Sequence, residues 1–80
     1  MFDVDIRYKQ GTEKEKCMEI MCIAAGYDYI GVNLDRGVDF SLVMGDKGLD
    51  GFCKELKELD YVESVERREY PLPVKNKRFT

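Results

Sequence analysis

The chain predicts an α+β domain of βαββαβ order, a four-stranded antiparallel sheet with two helices on one face. Three observations predict it. Phe2, Val4, Ile6 and Tyr8 alternate with Asp3, Asp5, Arg7 and Lys9, the period-two pattern of a half-buried strand. The apolar spacing turns helical from Cys17 and strand-like again from Ile30. A second strand–helix–strand cycle follows, with Leu49, Phe52, Cys53, Leu56 and Leu59 as its helical stripe.

The first strand covers residues 2–8 and stops where Lys9-Gln10-Gly11 breaks the alternation. Thr12 and Glu15 have the spacing of a capping box, in which hydroxyl and carboxylate satisfy free N–H groups at a helix start. A helix is therefore expected over 13–25, with Gly26 closing it in a left-handed turn. Its buried stripe is Cys17, Ile20 or Met21, and Ala24, with Glu13, Lys16 and Glu19 toward solvent. The second strand is expected over 28–35, with Ile30, Val32 and Leu34 on one face. Asp35-Arg36-Gly37 is a hairpin signal, because glycine supplies a positive φ. The third strand, 38–44, turns Val38, Phe40, Leu42 and Met44 to the core.

Asp46 is a plausible N-cap for a second helix over 47–59. Gly48 and Gly51 weaken its first turns by up to ~1 kcal/mol each. Glycine there also lets a neighbouring backbone or ligand come close. The fourth strand, 62–69, sets Val62 and Val65 among Glu63, Glu66, Arg67, Arg68 and Glu69. That polarity suits an edge strand and discourages pairing between molecules. Pro71 and Pro73 end the sheet, so residues 1–70 form the domain and 71–80 a basic tail with Lys75, Lys77 and Arg78.

Split βαβ connections place the first and third strands in the centre and both helices on one face, the ferredoxin-like class. The opposite face then carries Asp3, Asp5, Arg7, Tyr29, Asn33, Asp39, Ser41 and Val43, and it is expected to be open.

Eighty residues make one domain with a thin core, and small sheets of this size often gain stability by pairing, so a homodimer is expected. No apolar run approaches the ~20 residues that cross a membrane, and the chain opens directly on a strand, so neither a membrane nor a secretory leader is expected. Cys17, Cys22 and Cys53 include no CxxC pair, which points to reduced thiols in a cytoplasm. The net charge is −3, but over residues 1–70 ten basic residues face sixteen acidic ones. Such a body repels phosphate backbones. The outward positions of the two central strands also lack the aromatics on which RNA-binding sheets stack bases. Nucleic acid is therefore not an expected partner.

The absence of histidine removes Ser-His and Cys-His catalysis and histidine metal sites. No GxxxxGK[ST] or GxGxxG phosphate loop is present. No enzyme and no cofactor are expected. Three groups remain as candidates. Cys17, Met18, Met21 and Cys22 are soft ligands at helical spacing, the donor type for Cu(I), and equally common core fillers. Asp3, Asp5 and Asp39 would hold a hard cation if the open face brought them together. Lys9-Gln10-Gly11-Thr12 leads into a helix start, where free N–H groups attract a carboxylate or phosphate.

Three stretches resemble an ACT-type regulatory domain over residues 2–70. They are the loop with Gly11, the segment Asp46-Lys47-Gly48-Leu49-Asp50-Gly51-Phe52, and Leu59-Asp60-Tyr61-Val62-Glu63-Ser64-Val65-Glu66-Arg67. The resemblance implies a non-catalytic module that binds a small effector such as an amino acid, usually between paired domains. It maps the loop's share of that site onto Gln10, Gly11 and Thr12, and Asn33 is the expected anchor on the facing strand. The rival expectation is a protein–protein adaptor that uses the open face or an edge strand. A metal chaperone of this fold would need CxxC in the first loop, where Gln10-Gly11-Thr12 stands instead.

Overall fold

The computed structural model describes residues 1–34 and 36–69, so the expected tail lies outside the described residues. The strands are β1 (Phe2–Tyr8), β2 (Tyr29–Val32), β3 (Phe40–Met44) and β4 (Val62–Glu69). The helices are α1 (Cys17–Ala24), entered through a 3-10 turn at Lys14–Lys16, and α2 (Leu49–Lys57). The sheet order is β2-β3-β1-β4, with every neighbouring pair antiparallel. β1 and β2 consequently run parallel with β3 between them, and β3 and β4 run parallel with β1 between them. Each helix thus joins two strands separated by a third, and the alternating strands β1 and β3 occupy the centre.

Both helices cover one face. Val4, Ile6, Leu42, Met44 and Val62 of the sheet pack with Ile20 and Ala24 of α1 and Leu49, Phe52, Cys53 and Leu56 of α2. Val62 and Val65 are three apart, a spacing that ought to split them between faces. A register shift between Arg7 and Tyr8 resolves this: Ile6 pairs with Val65 and Tyr8 with Val62, so Glu63 is taken up in a bulge.

Three local expectations are corrected. The Thr12 hydroxyl does not cap α1; it donates to the Lys9 carbonyl at 2.7 Å and closes the turn of the preceding loop. α1 is therefore shorter than expected, and it ends in successive tight turns, Gly26 N–H to the Ile23 carbonyl and Tyr27 N–H to the Ala24 carbonyl, without a left-handed Gly26. On β2 the anticipated stripe is broken by a register shift between Tyr29 and Gly31, with Ile30 the extra residue. Tyr29 packs against the core instead, while Ile30 is 50% and Leu34 86% exposed.

At α2 the side chain of Asp46 makes no cap, and Gly48 takes the N-cap position in the left-handed region at φ 70°. A Cβ on Gly48 would come 3.0 Å from the ring of Tyr27, and one on Gly51 would meet the same ring at 3.6 Å. The two glycines thus make room for Tyr27, which lies against Phe52 at 5.4 Å between ring centres and donates to Glu55 at 2.9 Å.

The face opposite the helices is not open. Asp3, Asp5 and Ser41 are buried there, at 3%, 6% and 2% exposure. Asp5 accepts two bonds from Arg36, from Nη2 at 2.7 Å and Nε at 3.2 Å, and one from the Ser41 hydroxyl at 2.6 Å. Arg36 Nε also lies 4.0 Å from Asp3, which accepts a bond from the Asn33 amide at 2.9 Å. The expected tight hairpin is accordingly a longer connection between Val32 and Phe40. Its Gly37 is left-handed at φ 74°, and its polar residues fold back over β1. The Arg36 hydrogen bond holds the Asp5 carboxyl below its ordinary range, against the upward push of burial.

Two outcomes follow from this packing. Gly48→Ala is expected to cost about 1–2 kcal/mol, because a side chain resists positive φ and also meets Tyr27; chemical denaturation of the variant measures it. Asp5, with its lowered pKa, contributes stability that is complete above about pH 4 and is lost as pH falls through the ordinary carboxylate range toward its lower folded value. Arg36→Met is expected to lower the melting temperature at pH 7 by roughly 5–10 °C. It should also flatten the acid limb between about pH 5 and 3, as read by thermal melts across that range.

Candidate functional site

The loop after β1 builds a cleft from local chemistry. Lys9 bonds backbone to backbone with Tyr61, which fixes where the chain leaves the sheet, at 2.8 Å. The turn then closes on the Lys9 carbonyl, which accepts from both the N–H and the hydroxyl of Thr12. Gly11 sits inside that turn at φ 88°, a conformation that disfavours any side chain. From there the chain enters the 3-10 turn and α1, so that Lys14 and Cys17 come back alongside the loop.

The result is a surface cleft of about 430 Å³ lined by Tyr8, Lys9, Gln10, Gly11, Thr12, Lys14, Cys17, Asp39 and Phe40. That volume falls in the range of small-ligand sites, ~300–1,000 Å³. The ammonium groups of Lys9 and Lys14 have no ion-pair partner among the described residues. Asp39 is anchored by one carboxylate oxygen, which accepts the Tyr8 N–H at 2.8 Å. The cleft therefore offers two cationic donors, an amide, backbone N–H groups and one carboxylate.

Tyr8 forms part of the wall, and its hydroxyl is buried without a hydrogen-bond partner among the described residues. Burial, with Cys17 and Asp39 nearby, pushes its pKa up to about 12. Its ring stacks edge-on with Tyr61 at 5.9 Å, and Tyr61 in turn donates to Glu19 of α1 at 2.9 Å. These two tyrosines tie the start of α1 to the ends of β1 and β4.

Of the expected site residues, the structure brings Gln10, Gly11 and Thr12 together. It does not bring Asn33 to them, because the Asn33 amide is bonded to Asp3 on the other face of the sheet. Lys9 and Lys14 flank the expected loop residues and were legible as charges beside a helix start. Asp39 and Phe40 reach the cleft only through the pairing of Ile6 with Phe40, which the sequence does not encode locally.

The other candidate groups are engaged elsewhere or divided between faces. Asp3 and Asp5 are committed to Arg36, Asn33 and Ser41, while Asp39 bonds to Tyr8, so the three acids form no cation cage. The soft-ligand residues divide between faces of α1. Met21 packs on the core and Cys17 is half-buried, whereas Met18 is 67% exposed and Cys22 is also exposed. Among the described residues no group of three or more His, Cys, Asp or Glu is placed to hold a metal ion, and no helix is long and apolar enough to cross a membrane. Burial pushes the Cys53 thiol up, toward an inert protonated core group.

Tyr8→Phe is expected to leave stability unchanged or raise it by up to about 1 kcal/mol, since it removes a buried hydroxyl with nothing to bond. A tyrosine with a raised pKa contributes stability that is complete below about pH 10 and is lost as pH rises toward the folded value. The variant should therefore lose less stability than the parent between about pH 10 and 12; alkaline thermal melts of the pair measure both effects.

Comparison with known proteins finds no family model, no curated protein and no solved structure that matches this chain.

Proposed function

We propose that this protein is a non-catalytic regulatory module that binds a small molecule bearing a carboxylate, such as an amino acid, in the cleft between β1 and α1. The observation that carries the reading is the pair of lysines, Lys9 and Lys14, which have no ion-pair partner among the described residues, beside a left-handed Gly11 in a cleft of about 430 Å³. Lysine ammonium groups attract an anion without demanding one fixed geometry. Gly11 leaves the backbone bare for a close approach. Gln10 and Thr12 supply polar contacts at the rim; the Thr12 oxygen, having donated to Lys9, retains its capacity to accept. Asn33 has no part in this site, since its amide serves Asp3.

The adaptor reading loses the face opposite the helices as a flat docking surface, because Arg36 and Asn33 already cover its acids. It keeps the edge of β2.

A thermal-melt panel of free amino acids and simple carboxylates tests the proposal. A ligand at a hundredfold excess over its dissociation constant stabilises by about 2.7 kcal/mol, which is many degrees in so small a domain. Lys9→Ala with Lys14→Ala should weaken such a ligand roughly tenfold, about 1.4 kcal/mol. Asn33→Ala should leave the ligand-induced shift intact even where the unliganded melt falls. A flat response to the whole panel removes this reading.

A further inference from the structure

Three charged side chains line the cleft between β1 and α1. Lys9 directly follows β1, Lys14 stands in the 3-10 turn, and Asp39 closes the wall from the β2–β3 connection. No ion pair joins Asp39 to either lysine, and none of the three pairs with another described residue. One cleft of about 430 Å³ therefore holds opposite charges that do not satisfy each other.

The three charges differ in how they are held. Asp39 is fixed, because its Oδ2 accepts the Tyr8 N–H at 2.8 Å and its neighbour Phe40 is paired with Ile6 in the sheet. The other oxygen of Asp39 has no hydrogen-bond partner among the described residues. Lys9 and Lys14 belong to the loop side, on flexible stems that bring a point charge to a ligand without one required geometry. The cleft thus sets two positive charges on its loop side and one fixed negative charge on its sheet side.

Resting on the reading of this cleft as a carboxylate site, we infer that its ligand is an amino acid whose side chain carries a second anionic group, with one anion for each lysine and the ammonium group on Asp39. The charge pattern selects this class by elimination. A neutral amino acid leaves one lysine unmatched. A diacid without an amine serves both lysines but brings no cation to Asp39. A basic amino acid sets its side-chain cation against the lysines. Like charges brought together reject the wrong ligand as surely as opposite charges hold the right one. The second anion is a carboxylate, as in aspartate and glutamate, or a phosphate, as in phosphoserine; both present oxygen atoms to an ammonium donor.

Asp39 is then the residue that separates amino acids from plain acids, and the presence of two lysines, not one, separates acidic side chains from their neutral counterparts. All three positions are exposed, so each can be changed without opening the core. Asp39→Asn is the informative substitution at the wall. An amide oxygen still accepts the Tyr8 N–H, so the variant keeps the anchor and loses only the charge.

Calorimetric titration of the full chain with matched pairs tests this: aspartate against asparagine, glutamate against glutamine, phosphoserine against serine, and succinate and glutarate as the amine-free acids. At least one acidic member should bind roughly tenfold tighter than its neutral partner and than the amine-free acid. A phosphate as the second anion shows itself by an affinity that rises between about pH 5 and 7, as the group takes its second charge; a carboxylate shows no such rise. Lys9→Ala or Lys14→Ala alone should bring the acidic-to-neutral ratio down toward one. Asp39→Asn should erase the advantage of the acidic amino acid over the amine-free acid. Neutral amino acids that bind as tightly as acidic ones overturn the inference and leave the carboxylate reading of the cleft standing. An amine-free acid that binds as tightly, or an Asp39→Asn protein that still prefers the amine, overturns it in the same way. A chain that binds none of these ligands overturns both.

Discussion

Asp5 lies on a central strand, is 6% exposed, and would be an intolerable charge there without Arg36. β1 is covered on both faces. Toward the helices it buries Val4 and Ile6, which any half-buried strand would do. On the other face it buries two carboxylates, and burying an ion is costly unless it is paired and hydrogen-bonded. Arg36 supplies two charge-assisted bonds to one acid and stands near the other, while Ser41 and Asn33 fill remaining acceptor sites. The path of the β2–β3 connection is a consequence. It must bring Arg36 back over the sheet, so it is too long for a tight hairpin.

The same connection links the two faces of the molecule. At one end Asn33 and Arg36 fasten it to Asp3 and Asp5; at the other Asp39 fastens it to the backbone of Tyr8. Asp39 and Phe40 then form a wall of the cleft. The cleft is shaped from the helix side by the Lys9–Thr12 turn and the Tyr8–Tyr61 pair, and from the sheet side by a segment whose position depends on the buried ion pair. The charge excess of the acidic body is thus uneven. One arginine offsets part of the charge of two buried acids, while Lys9 and Lys14 at the cleft have no ion-pair partner among the described residues.

Much of the architecture could be read along the chain. Alternation at Phe2–Tyr8 and the spacing from Leu49 to Leu56 gave strand and helix, because period follows from backbone geometry alone. The limits of β1 and β4 agree with their expected spans, and the polarity of β4 marks it as an edge. Caps were harder. Thr12 and Asp46 had the right residue types at helix starts, but a hydroxyl or carboxylate takes whichever donor or acceptor is nearest, and the competing Lys9 carbonyl was nearer for Thr12. Gln10, Gly11 and Thr12 were legible as site residues because they are contiguous, whereas Asn33 was misplaced because its partner is thirty residues away.

What the sequence determined by itself is periodic and local: the order of elements, the apolar side of β1, β3 and α2, the left-handed glycine in the β2–β3 connection, and a charged edge at β4. Tertiary structure decided everything that depends on register. The shift at Tyr29–Gly31 turned Ile30 outward, and the shift at Arg7–Tyr8 put Val62 and Val65 on the same face. Strand pairing set Ser41 against Asp5 and closed the polar face that alternation alone left open. One residue of slip reverses which face a side chain meets, and that slip is settled by contacts across the sheet, not by neighbours along the chain.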